Sequence, residues 1–118
     1  MAESSSDSAI DVEPARLAEW LREDPPPQLI DVRETYEREA GRIAGSRHVA
    51  LVELTAQAES VDRERPVVFY CRIGARSEMA AKAFRASGYE AYTMSGGLVR
   101  WAEEGRPLEP DGGYVAEH

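Results

Sequence analysis

At 118 residues, 42% of them apolar and 31% charged, the chain has the size and composition of one globular domain with its own core. Its formal charge of −8 argues against a nucleic-acid surface, which needs clustered cations, and no window approaches the roughly 18 apolar residues of a membrane-spanning helix. A single cysteine excludes an internal disulfide and a cysteine-cluster metal site.

Residues 1–9, MAESSSDSA, are polar and serine-rich, which predicts disorder. They lack the basic start and apolar stretch of a secretory signal, so a reducing, cytoplasmic compartment is the expectation. Ile10 and Val12 can form a short strand. Pro14 suits a first helical turn, and Leu17, Trp20 and Leu21 give that helix an apolar face, with Pro25–Pro27 expected to end it. Leu29–Val32, Leu-Ile-Asp-Val, reads as a strand of the buried type, and a charged helix is predicted over Thr35–Ala40. Gly41 and Gly45 punctuate a loop, His48–Leu51 reads as another short strand, and a modest helix is predicted over roughly Val52–Glu59. Val67–Tyr70 is a strand, followed after a loop by a helix that runs to about Ser87 and stops at Gly88. Ala91–Met94 is the last strand, Gly96 and Gly97 precede a short helix carrying Trp101, and an irregular tail begins near Gly105 and Pro107.

Short strands alternating with helices imply βα units, a mainly parallel sheet and right-handed crossovers. In such sheets ligands bind beyond the carboxyl ends of the strands. Cys71 stands immediately beyond one of those ends, in the stretch FYCRIGARSEM. A helix's first turn leaves N–H groups unpaired and carries partial positive charge, and a glycine-containing loop ahead of it can fold into an anion-binding nest. That setting favours a thiolate at Cys71, with Arg72 and Arg76 as further anion contacts and Ser77 as either a helix cap or a donor to sulfur. The alternative is a small buried hydrophobe beside an ordinary turn.

Residues 71–77, CRIGARS, resemble the C-R-x-G-x-R-S active-site pattern of the rhodanese family. Ile30–Glu34 is similar to that family's D-V-R-E signature, GRIAGS (41–46) to its G-H-I-P-G-A, and GGLVRW with GRP (96–101, 105–107) to its closing G-G-x-x-x-W…G-x-P. The resemblance covers about residues 10–109 and implies an α/β fold: one rhodanese-like domain with a five-stranded, mainly parallel sheet and helices on both faces. Residues 110–118 fall outside it and are expected to form a flexible acidic tail. The resemblance also implies sulfur transfer. Cys71 would take the outer sulfur of thiosulfate or a persulfide donor, carry it as a persulfide and pass it to cyanide or a thiol, in two half-reactions. No metal and no organic cofactor are expected.

The amides of Arg72, Ile73, Gly74, Ala75, Arg76 and Ser77 would form the cradle, with the Arg72 and Arg76 side chains on the donor's oxyanion. Asp31 and Arg33 would support the site, most simply as an ion pair that orders the loop. Trp101 is expected in the core, and His48 and His118 carry no matching catalytic role. Arg42, Ala44 and Ala50 depart from the family's usual histidine and prolines, in a loop away from the cysteine. A protein donor or acceptor of sulfur is a further expectation, with a monomer as the default and neither nucleic acid nor membrane as partner. Two rivals accompany this reading. A cysteine phosphatase would place five residues between cysteine and arginine, where this chain has four. A non-catalytic partner-binding or redox-sensing module would keep the fold without the transfer.

Overall fold

Val67–Tyr70 is apolar throughout and buried throughout, because this strand lies in the middle of a sheet covered on both faces. We describe residues 10–118 in a computed structural model; the serine-rich start, expected to be disordered, lies outside the described residues. In chain order the regular elements are β1 (Asp11–Val12), α1 (Pro14–Trp20), β2 (Gln28–Asp31), α2 (Thr35–Ala40), β3 (Arg47–His48), β4 (Val67–Tyr70), α3 (Ala75–Ala86), β5 (Ala91–Met94) and α4 (Gly97–Glu103). The five strands form one parallel sheet in the order β1-β5-β4-β2-β3.

Alternation along the strands sorts the core into two layers. Ile30, Val32, Phe69 and Cys71 point to one face, where they meet Ala80, Ala81 and Phe84 of α3. Leu29, Val68 and Tyr70 point to the other, against Leu17 of α1 and Leu98 and Trp101 of α4. The chain runs outward from β2 to β3, then returns past β2 to β4 and continues the opposite way to β5. Right-handed crossovers therefore put α2 and α3 on opposite faces and open a crevice between the ends of β2 and β4. Cys71 sits at that crevice.

Three sequence expectations are corrected. The helix expected near Val52–Glu59 is a pair of 3-10 turns, Leu51–Glu53 and Ala58–Ser60. Side chains there hold the backbone in turns: Ser60 Oγ donates to the Gln57 carbonyl at 2.6 Å, and Arg47 reaches the Ser60 carbonyl at 3.2 Å. Helix α1 closes at Trp20, short of the prolines, as the Arg22 and Glu23 amides tighten onto the Glu19 and Trp20 carbonyls. Beyond α4, Glu109 pairs with Arg42 in both directions, the Tyr114 amide donates to the Ala40 carbonyl at 2.9 Å, and Val115 packs on the second core layer. The segment expected to be a flexible tail is held against α2 by these contacts.

The layer behind β2 and β4 contains charge. Arg33 grips Asp31 through Nε and a terminal nitrogen, at 2.8 and 2.7 Å, and both side chains are fully buried. Arg38 reaches the same carboxylate at 3.3 Å, and a third Arg33 bond goes to the Gly41 carbonyl. Tyr70 lies under the Arg33 guanidinium, its hydroxyl bonded to Ser46 and to the Ile43 amide. Burial, with Asp31 nearby, pushes the Tyr70 phenol up to about 12, so it stays neutral. Removing one partner of a buried pair typically costs about 3–5 kcal/mol, because the other charge is left without compensation. Arg33→Ala is accordingly expected to lower unfolding stability by that amount, read from the urea midpoint against wild type. A loss below about 1 kcal/mol would mean that the pair does not order this layer.

Candidate active site

The last residue of β4 hands the chain to a loop of four residues before α3 starts at Ala75. Gly74 caps that helix with φ +116°, a conformation that side chains disfavour and glycine accepts. The turn brings its amide to 3.1 Å from Cys71 Sγ, and the Ser77 amide, in the first turn of α3, lies at 3.4 Å. Ser77 Oγ stands 3.5 Å from the sulfur and is fixed in turn by Thr93 Oγ1 at 2.7 Å and the Gly74 carbonyl at 3.2 Å. Two main-chain donors thus converge on one sulfur, which itself donates to the Ser77 hydroxyl, at the N-terminus of a 12-residue helix. Cys71 itself is fully buried.

The loop is held from behind by α4. The Leu98 amide donates to the Cys71 carbonyl at 2.8 Å and the Val99 amide to the Arg72 carbonyl at 3.0 Å. With those carbonyls drawn outward, the amides of the following turn face the sulfur. This contact needs glycine at 97: its φ is +64°, and a Cβ there would run into the Arg72 carbonyl group and the Ile73 nitrogen. The paired glycines of the sequence are therefore a docking surface for the cysteine loop.

The site residues expected from sequence do not all meet. Cys71, Gly74 and Ser77 do. The amides of Arg72, Ile73, Ala75 and Arg76 make no bond to the sulfur, and the Ile73 side chain is exposed. Asp31 and Arg33 belong to the opposite core layer, with Tyr70, and do not touch the sulfur. His48 Nε2 bonds the Arg33 carbonyl at 2.7 Å.

Arg76 is a correction. Expected as an open anion contact, it donates both terminal nitrogens to Glu37 of α2, at 2.8 and 3.0 Å, across the crevice between the two helices. Glu37 is fully buried and also accepts the Glu34 amide at 2.9 Å, so it requires a cation. His118 Nδ1 lies 3.4 Å from the same carboxylate. Burial opposes ionisation of Glu37, but the Arg76 hydrogen bonds and the Glu34 amide outweigh it and hold the carboxyl below the usual carboxylate range. Arg72 has no carboxylate partner among the described residues, and its Nε is buried without an acceptor. It is the arginine of the loop that no carboxylate among the described residues has paired.

An open cleft of about 330 Å³ borders the loop, lined by Ile73, Gly74, Ala75, Glu78, Ser95 and Gly96, with Asp11, Thr93 and Met94. Gly74, bonded to the sulfur, and Thr93, bonded to Ser77, form part of its wall. Sequence reasoning passed over Glu37, Thr93 and the Leu98 and Val99 amides. Only Glu37 left a trace, three residues after Glu34 in the spacing of a capping box.

Residues 13–104 match the sequence model of the Rhodanese-like domain family. The chain is 40% identical over 75 residues to the uncharacterized protein YqhL of Bacillus subtilis, covering 63% of this chain and 60% of that protein, so it spans less than two thirds of that relative. It is 31% identical over 97 residues to YtwF of the same organism, a putative sulfurtransferase, covering 82% of this chain and 94% of the relative. The crystal structure of a rhodanese-related protein from Thermoplasma volcanium superposes with a TM-score of 0.77 at 28% identity, over 83% of this chain and 95% of that one.

Two outcomes test this geometry. Gly97→Ala should lower the melting temperature by several degrees, since a strained backbone alone costs about 1–3 kcal/mol; an unchanged melt would mean that α4 does not dock as described. Glu37, its folded value depressed, contributes stability that is present above the ordinary carboxyl pKa and lost as pH falls through the depressed one. Glu37→Gln should therefore flatten the acid limb of stability against pH in urea titrations, and an unaltered limb would contradict the pairing.

Proposed function

The chain belongs to the rhodanese-like family, and on that premise we propose that it is a sulfurtransferase in which Cys71 carries sulfur as a persulfide. The observation that supports this most is the convergence of the Gly74 and Ser77 amides on the Cys71 sulfur at 3.1 and 3.4 Å. A thiol needs no such donors, whereas an anionic sulfur is stabilised by them. In the first half-reaction the Cys71 thiolate attacks the outer sulfur of the donor. The new S–S bond forms as the donor's S–S bond breaks, and the electron pair leaves with sulfite or with a thiolate. In the second, an acceptor thiol or cyanide attacks that outer sulfur, and Cys71 leaves as the thiolate it began as. No net electrons are exchanged with any third group, and neither half-reaction calls for a metal or an organic cofactor.

Each residue of the loop takes a part in this reading. Gly74 and Ser77 hold the inner sulfur, the amides of Arg72, Ile73, Ala75 and Arg76 surround the outer sulfur as it arrives, and the guanidinium of Arg72, which no carboxylate has claimed, receives the anionic leaving group as the loop yields. Asp31 and Arg33 support the cup from the other side of the sheet. Because Cys71 is fully buried, the loop beside the cleft must yield for the donor to reach it. That same burial favours the second reading, a partner-binding or redox-sensing module that keeps the fold without turnover.

Intact mass separates the two. Thiosulfate or cysteine persulfide should add about 32 Da, one sulfur atom, to the wild-type chain and nothing to Cys71→Ser, and cyanide should discharge the adduct as thiocyanate. A wild-type chain that takes up no sulfur from either donor would leave the module as the better account.

A further inference from the structure

The cysteine loop carries two arginines, and a buried carboxylate has claimed one of them. Glu37 takes both terminal nitrogens of Arg76, and its own burial and its bond to the Glu34 amide fix it in place. Nearby carboxylates do not reverse this. Glu34 caps α2, Glu78, on the cleft wall, pairs with Lys82 at 3.2 Å, and Asp11, on the same wall, adds negative charge. His118 Nδ1 stands 3.4 Å from Glu37 Oε1, the oxygen that Arg76 Nη1 also holds. An ionised Cys71 with Arg72, Arg76 and Glu37 makes a site of zero formal charge. Without Glu37 the same site would be more positive by one charge.

We propose that Glu37 is a specificity-determining residue: by holding Arg76 it leaves the cysteine site without net positive charge and turns it away from the dianion thiosulfate, in favour of persulfide donors. The proposal rests on the sulfurtransferase reading. The chemistry of the leaving group gives it force. When Cys71 attacks thiosulfate, the S–S bond breaks and sulfite departs with the electron pair, a dianion that needs more than one cation. When it attacks R–S–SH, the same bond breaks and a thiolate departs with a single charge, which Arg72 alone can meet. The proton of the persulfide stays on the transferred sulfur, and neither reaction needs an oxidant or reductant.

The test measures kcat/KM for persulfide formation on the full chain with thiosulfate and with cysteine persulfide. Wild type should favour cysteine persulfide by at least about tenfold, and an equal or better rate with thiosulfate would overturn the proposal. Glu37→Gln should raise the thiosulfate-to-persulfide ratio about tenfold, chiefly through a lower KM for thiosulfate, an effect of the size expected from one unscreened charge. The double variant Glu37→Gln with Arg76→Gln removes both charges, so its ratio should return to that of wild type. A merely structural role for Glu37 would leave the double variant as altered as the single one, and that result would also overturn the proposal. Loss of all adduct on wild-type Cys71, with both donors, would instead overturn the sulfurtransferase reading itself.

Discussion

Two amide hydrogens are turned toward the sulfur that follows β4, and in this protein that orientation is imposed from behind. Leu98 and Val99 draw the carbonyls of Cys71 and Arg72 to the N-terminus of α4. A peptide plane cannot rotate one end without the other, so anchoring those carbonyls sets the path of the turn that aims the Gly74 amide at the sulfur. Gly97 makes the approach possible because it has no side chain to collide with the Arg72 backbone. The closing glycine pair and the cysteine loop, more than twenty residues apart in sequence, act as one structural unit.

Two ionic clusters border this unit and do different work. Asp31 and Arg33 lie wholly within the second core layer, where Arg33 also donates to the Gly41 carbonyl and stacks over the Tyr70 ring. They tie β2, β4 and the loop after α2 together and present nothing to the crevice. Glu37 and Arg76 span the crevice and join α2 to the first turn of α3. Their effect reaches the sulfur through charge as well as position, since Arg76 is the neighbour of Ser77, whose amide and hydroxyl both touch it.

Much of the fold was legible in the residues. The continuous apolar run Val67–Tyr70 could only be a strand buried on both faces, and the alternation of short strands with helices left a parallel sheet as the consistent arrangement. The segment 51–60 was misread because its pattern suits a helix, while Ser60 and Arg47 bond to local carbonyls and keep it in separate turns. The tail was expected to be loose because it is polar and carries glycines. Its anchoring comes from backbone pairing with Arg42 and Ala40, which composition cannot reveal.

The site divides along the same line. Local sequence determined that Cys71 ends a strand, that a glycine turn follows it and that a helix N-terminus comes next, because strand period, glycine and helical spacing are properties of neighbours in the chain. Only the tertiary structure decided which charges face the sulfur. Arg72 and Arg76 look equivalent in CRIGARS, yet α2 brings Glu37 against one and leaves the other without a carboxylate. That distinction comes from two helices meeting over the switch between β2 and β4, a proximity of residues 39 positions apart that no spacing within the loop encodes.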